Sequence, residues 1–225
     1  MGVDTAGTPD ATDEFGIPII PDPTDAAQRK RQAIIDSAQA EFLAEGYSAA
    51  SMDAITSGSG VSKATIYKHF GSKERLFLAV IGGLLPRTYA GLESCTSTIV
   101  EAPDLRKALI DLTTAWARTL LHPDIMSLRR LVIGETERFP QLGQLWYRVS
   151  YDMINGPLTD AFTELDQLGV LDIPEPTLAV QQLVAVTVGV PQLMNTFSPA
   201  IPLHDSELVH LATSGVDLIL ARYAR

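Results

Sequence analysis

The sequence predicts an all-α protein, and three observations carry that reading. Apolar residues recur at helical spacing in segment after segment, as in Ile34, Ile35, Ala38 and Phe42. No stretch alternates apolar and polar residues over a useful strand length. Between Ser51 and Glu74, SMDAITSGSGVSKATIYKHFGSKE reads as two short helices joined by a glycine turn, with a third helix starting just after.

Taken in order, residues 1–26 hold six acids (Asp4, Asp10, Asp13, Glu14, Asp22, Asp25) and no base. With Pro9, Pro18, Pro21 and Pro23 and no helical period, they predict a flexible acidic arm. Its short apolar cluster Phe15, Ile17, Ile19, Ile20 offers the alternative of docking on the body. Ala27 to Glu45 is an amphipathic helix, and Gly46 is placed to close it.

The next two helices share a small core. Ile55 and Ile66 face inward, and Val61 plugs the corner. Gly58 and Gly60 flank that corner, where a left-handed backbone suits glycine. Ser51, Ser62 and Ser72 each stand one residue before a helical run, placed to accept an unpaired N–H. The second helix, Lys63 to Phe70, turns Ile66 and Phe70 inward and presents Lys63, Ala64, Thr65, Tyr67, Lys68 and His69. That set suits a DNA major groove. Lysine donates to guanine acceptors or phosphate, Thr65 touches a base edge or a thymine methyl, and Ala64 permits close approach. Tyr67 and His69 donate to phosphate without a full charge. Lys73 stands in the first turn of the following helix, where backbone N–H groups favour an anion.

Lys73 opens a longer helix through Leu76, Phe77, Val80, Ile81 and Leu84, which Gly82-Gly83 and Pro86 are expected to bend or interrupt. Helical patterns follow at Leu105 to Leu121 and Ile125 to Glu137, then from Pro140 towards Gly169 with a break at Asn155-Gly156-Pro157. Thr177 to Phe197 is almost wholly apolar, and Asp205 to Tyr223 is a final amphipathic helix.

Composition bounds the function. The 225 residues are 20% charged and 46% hydrophobic, a globular balance. No apolar run is expected to reach the 18 or so residues a membrane span needs, no signal peptide opens the chain, and no membrane partner is expected. One cysteine, Cys95, excludes an intrachain disulfide framework and suits a cytoplasmic location. Cys95 is either a small buried residue or a redox sensor. The net charge of −10 is unevenly spread: −6 over residues 1–26, +2 over 27–75 and −6 over 76–225. The one net-positive segment is the one with the helix-turn-helix. An enzyme is not expected. His69, His122, His204 and His210 are too scattered for a metal cluster, and there is no Gly-x-Ser-x-Gly elbow, P-loop or dinucleotide-binding turn. No cofactor is expected either.

The stretch Ser51 to Glu74, with Ala27 to Gly46 ahead of it, closely resembles the DNA-binding domain of the TetR family of bacterial transcriptional regulators, above all in GVSKATIYKHFGSKERLF. The resemblance implies that Lys63, Ala64, Thr65 and Tyr67 face bases. It implies also that Tyr67, His69 and Lys73 hold phosphates, with Ser51 capping near the DNA backbone and Ser62 and Lys68 beside them. Two departures stand out. Ala50 replaces a frequent threonine, and Thr56, Gly58 and Ser59 replace an alanine-rich run. Because a helical glycine costs roughly 0.5–1 kcal/mol against alanine, the helix before the turn is expected to be short or frayed. Leu128 to Arg148, LRRLVIGETERFPQLGQLWYR, resembles the AefR-like C-terminal domain of a subset of these regulators.

The family implies a DNA-binding domain at 27–75 and a helical regulatory and dimerisation domain at 76–225, with a small molecule sensed between body helices. Candidate pocket residues are Trp116, Leu120, Met126, Trp146, Tyr147, Tyr151, Met153 and Phe162. Leu183, Val186, Val190, Leu193 and Leu218 are the expected homodimer interface. The partners implied are a palindromic operator in double-stranded DNA and an unidentified effector, with repression the default. The alternative is a ligand-binding or scaffold protein whose helix-turn-helix no longer binds DNA.

Overall fold

A computed structural model describes residues 11–19, 26–90, 92, 98–198 and 204–225. Cys95 lies outside them. Among the described residues the chain's regular elements are all helical. Its extended pairings there are two isolated bridges, Thr12 with Pro18 and Leu171 with Ala224. The helices are α1 (Ala26–Ala49), α2 (Met52–Ser59), α3 (Lys63–Phe70), α4 (Lys73–Tyr89), α5 (Leu105–Leu120), α6 (Pro123–Glu135), α7 (Pro140–Ser150), α8 (Gly156–Gln167), α9 (Pro176–Val184), α10 (Val190–Phe197) and α11 (Asp205–Tyr223). They fall into two compact units. One comprises residues 1–88 with Leu131–Tyr147, and the other Tyr89–Arg130 with Arg148–Arg225.

In the first unit, α1 is broken at Gly46, whose φ of 75° is the left-handed turn that glycine tolerates. Its inward residues Ile34, Ile35, Ala38 and Phe42 are all buried. An aromatic cluster continues this core: Phe42 and Tyr47 each meet Phe77 at 5.0 Å between ring centres, and Phe139 stands 4.8 Å from Tyr47. The Arg138 guanidinium covers the Tyr47 ring at 4.3 Å. Phe139 thereby brings part of Leu131–Tyr147 into the same core as α1 and α4.

Helix α4 is not interrupted. It runs from Lys73 through Gly82-Gly83 and Pro86 to Tyr89. Proline forfeits one backbone bond, the one to the carbonyl four residues earlier, and the helix continues across it, with nine of its residues buried between Leu76 and Tyr89. The arm is also more structured than its composition predicts. Residues 11–19 fold back on themselves, and Ile17 is only 2% exposed.

In the second unit, α11 packs on α5 and on the segment after α9. Two bidentate pairs fasten α11 to α5: Arg106 with Asp217 and Arg118 with Asp205, at 2.6 and 2.9 Å in each case. Gly215 lets α11 close on Thr187, which a Cβ there would overlap, and on Val186, which it would crowd. Two five-residue π-helical segments, Tyr151–Asn155 and Ala185–Gly189, each precede a proline by two residues. Pro157 and Pro191 cannot bond to the carbonyl four residues back, and a π turn accommodates the missing donor. The Asn155-Gly156-Pro157 break is therefore a widened turn inside a continuous helical run.

The π segment at Ala185–Gly189 also joins α9 to α10, so Pro176–Phe197 is one helical stretch of 22 residues. Contrary to the expectation from the sequence, it is long and apolar enough to cross a membrane by length and composition, with mean hydropathy 1.3. No single unbroken run reveals it, because Gln181, Gln182, Gln192 and Asn195 interrupt the apolar residues. One such helix is weak evidence for a membrane span, since core and interface helices pass the same test.

Candidate nucleic-acid interface

Helix α3 is held at both ends by local chemistry. The Ser62 hydroxyl accepts from Thr65 N–H at 3.2 Å, and Gly71, with φ of 77°, donates its N–H to the Tyr67 carbonyl at 2.8 Å. Helix α2 is fixed in the same way. Ser51 Oγ accepts from the N–H groups of Asp53 and Ala54 at 3.2 and 3.3 Å, and Gly60 ends the helix with φ of 67°. The corner thus needs one left-handed glycine, Gly60. Gly58 is helical, and its reason lies elsewhere. A Cβ on Gly58 would overlap Ser37 Oγ of α1, which donates to the Ile55 carbonyl at 3.1 Å. The glycine expected to fray α2 instead lets α1 and α2 approach closely, and α2 runs its full length to Ser59.

These helices bury Met52, Ile55, Ile66 and Phe70. The face left to solvent is the one read from the sequence, with Lys63, Ala64 and Lys68 exposed and Tyr67 41% exposed. Thr65 and His69 are half-buried at its edges. Spacings of i, i+1, i+4 and i+5 put Lys63, Ala64, Tyr67 and Lys68 on one side of the helix.

Besides the capping serines Ser51 and Ser62, three more side chains in the candidate set already have partners within the chain. Lys63 Nζ donates to Asp53 Oδ1 at 2.8 Å, and this hydrogen bond raises the lysine pKa. The Thr65 hydroxyl sits 2.9 Å from Ser62 Oγ. Lys73 Nζ donates to the carbonyls of Ala50 and Ser48 at 2.6 and 3.3 Å and lies 4.9 Å from the centre of the Tyr47 ring. Lys73 therefore satisfies carbonyls where the chain leaves α1, and Lys63 must exchange Asp53 for a phosphate or base to contact DNA.

Sequence reasoning missed a cluster at the far end of α3. The Arg31 guanidinium lies 5.1 Å over the Phe70 ring, and its Nε is buried without a partner. Burial lowers the His69 pKa, and the positive charges of Arg31, Lys68 and Lys30 lower it further. The packing of α1 against α3 joins the two basic groups. Neither run alone signals it.

The candidate pocket residues do not form one set. Trp146 and Tyr147 belong to the first unit and the others to the second. Trp116, Leu120, Met126 and Phe162 are core side chains, whereas Met153 is half-buried and Tyr147 and Tyr151 are exposed. The Trp116 indole N–H is buried without a partner. In the same unit, Arg129 donates to Thr196 Oγ1 at 3.2 Å, and burial raises the Tyr89 pKa. Among the candidate interface residues, Leu183 is fully buried within the chain and Val186 half-buried. Leu183 is thus core, on the inner side of α9. Val190, Leu193 and Leu218 are 57%, 55% and 59% exposed, and Met194 and Phe197 join them at 62% and 81%.

Residues 107–225 match the family model described as AefR-like transcriptional repressor, C-terminal domain, and residues 34–80 match that of bacterial regulatory proteins, tetR family. The crystal structure of a TetR-family transcriptional regulator from Mesorhizobium loti MAFF303099 is 30% identical, superposes with a TM-score of 0.81, and covers 90% of this chain and 100% of its own. The HTH-type transcriptional activator FasR of Mycolicibacterium smegmatis is 32% identical over 84 residues, 37% of this chain. The HTH-type transcriptional repressor AcnR of Corynebacterium efficiens is 38% identical over 56 residues, 25% of this chain. Those stretches span 38% of the activator and 30% of the repressor.

Proposed function

We propose that this chain, which belongs to the tetR family of bacterial regulatory proteins, is a cytoplasmic, homodimeric, sequence-specific regulator that represses transcription at a palindromic operator until a small molecule releases it. The observation that carries the reading is the solvent face of α3. Lys63, Ala64, Tyr67 and Lys68 stand side by side on a helix capped at both ends, within the net-positive segment of an acidic chain. Donors of this kind anchor to phosphate, while lysine and the small alanine read base edges at close range. Ser51, Ser62, Thr65, His69 and Lys73 support that face by capping, packing or holding the loop before α2.

Dimerisation supplies the second reading head. Val190, Leu193, Met194, Phe197 and Leu218 form an apolar set that water disfavours, and a two-fold partner covers it with its own copy. Repression fits a dimer that occludes a promoter, although the relatives include an activator as well as a repressor. A second reading, a sensor that no longer binds DNA, gains from the internal partners of Lys63 and Lys73.

Selection from a random duplex library at about 0.1 M salt tests the proposal, with wild type beside Tyr67→Ala and Lys68→Ala. The expected result is an enriched palindrome that both substitutions weaken. A folded dimer that enriches nothing even at low salt favours the second reading and sinks the first.

A further inference from the structure

The end of α3 away from the Ser62 cap carries a group of basic side chains drawn from two helices. Arg31 of α1 lays its guanidinium 5.1 Å over the ring of Phe70, the last residue of α3. Beside that ring, 6.4 Å between centres, stands His69. Lys68 of α3 and Lys30 of α1 are exposed, and their charges act with that of Arg31 on the imidazole. No carboxylate is among the groups acting on His69, and burial alone acts on Arg31. Like charges repel, so this gathering of basic groups costs the free protein stability, and an anion placed among them turns the cost into attraction.

The guanidinium is held in a way that suits such an anion. Arg31 is half-buried, and its Nε is sealed in without a partner. The remaining N–H donors form a rigid planar fork that matches the oxygens of a phosphate. Lys68 also belongs to the solvent face of α3 with Lys63, Ala64 and Tyr67, so the basic group adjoins the proposed reading surface. A helix laid against base edges has the DNA backbone along its flanks. We propose that Arg31, Lys30, Lys68 and His69 form a composite seat for one DNA backbone phosphate at the junction of α1 and α3, with the Phe70 ring as the platform that aims the guanidinium. The seat fixes the position of α3 on the duplex and reads no base. This inference rests on the DNA-binding reading above.

Full-length protein and a mixed-sequence duplex of about 30 base pairs test the seat, because binding without sequence preference consists almost entirely of phosphate contacts. Arg31→Gln is expected to bind about tenfold weaker at about 0.1 M salt. Its slope of log affinity against log salt is expected to shrink by about 2, since a dimer loses one phosphate contact per head and each contributes roughly 0.9. Arg29→Gln removes the same charge from the same helix, outside the cations that act on His69. It is expected to stay within about twofold of wild type with the slope kept. Arg31→Lys keeps the charge and loses the fork on Phe70, and is expected to bind about threefold weaker with the wild-type slope. Thermal unfolding is followed for each variant. A lower Tm with an unchanged salt slope in Arg31→Gln overturns the seat, as does an equal loss of binding in Arg29→Gln. If Arg31→Gln does not fold, wild-type affinity in Arg31→Lys overturns it. Inorganic phosphate at about 10 mM, exchanged for chloride at constant ionic strength, is expected to leave binding unchanged. A loss in wild type that Arg31→Gln does not share would assign the seat to free phosphate instead of DNA. If wild type binds no duplex even at about 0.05 M salt, the DNA-binding reading falls and the seat with it.

Discussion

The helix pair α2–α3 and the C-terminal pair, Pro176–Phe197 with α11, treat their apolar side chains in opposite ways. The first closes on itself. Met52, Ile55, Ile66 and Phe70 are buried, and what remains outside is polar apart from the small Ala54, Gly58 and Ala64 and the amphipathic Tyr67. The second closes only one side. Leu183, Val188, Val216 and Ile219 are buried, while Phe197 is 81% exposed beside Val190, Leu193, Met194 and Leu218. A closed pair can devote its surface to a charged, hydrated partner such as DNA. A half-closed pair is finished by another apolar surface, and an identical one is always at hand in a homodimer. Effects on assembly and effects on DNA reading should therefore separate by region.

The largest expected effect tests the open side. Leu193→Glu combined with Phe197→Glu places four charges in a symmetric interface. Sedimentation is expected to show monomers with an unchanged helical spectrum. Operator affinity is expected to fall about 100-fold, because two heads no longer bind as one ligand. A variant that remains dimeric places the interface elsewhere.

A smaller effect tests how tightly the closed side is built. An ordinary helical glycine gains roughly 0.5–1 kcal/mol on replacement by alanine. Gly58→Ala is instead expected to lose about 1–3 kcal/mol in denaturant unfolding, since the new methyl meets Ser37 Oγ on α1. Ser37→Ala in the same chain should recover much of that loss. If Gly58→Ala is stabilising by itself, the close approach of α1 and α2 is not what selects glycine there.

Tyr67→Ala comes next. Tyr67 is 41% exposed and its ring is not part of the buried core of α3, so Tm is expected to hold within about 2 °C while operator affinity falls about tenfold. A matching drop in Tm would assign the tyrosine to packing instead.

The same contrast explains what could be read from the sequence. The head is built from local rules. Ser51 and Ser62 cap the next turn, Gly60 makes the corner, and Ile55 and Ile66 meet across it, so each role is visible within a dozen residues. The role of Gly58 is not visible locally, because its reason is Ser37, 21 positions away on another helix. The partners of Lys63 and Lys73 are equally non-local. In the C-terminal pair the stretch is apolar nearly all round, so periodicity does not say which side faces the core. The π turn at Ala185–Gly189 also shifts the helical phase between Leu183, which is buried, and Leu193, which is exposed. An inner and an outer leucine were therefore assigned to one face. At residues 11–19 composition reports the acids, whereas the docked alternative depends on Ile17 filling the space beside Gly82 of α4.

The smallest effect concerns the edge of the closed pair. In the free protein, burial and the charges of Arg31, Lys68 and Lys30 all disfavour a proton on His69, so its pKa lies below the ordinary 6.5. The unfolded chain takes up that proton first, and His69 therefore lowers folding stability as pH falls below 6.5. A DNA phosphate beside the ring acts in the other direction, because its negative charge favours the imidazolium and raises the pKa in the complex. Affinity must then rise as pH falls from 7.5 to 5.5, by about threefold at constant ionic strength in a fluorescence anisotropy titration. His69→Gln keeps a hydrogen-bond donor but cannot titrate, and it is expected to flatten the slope with little change in affinity at pH 7.5. An unchanged slope in this variant would mean that His69 stays away from phosphate in the complex. The three cations around it would then act only on the protein's own fold.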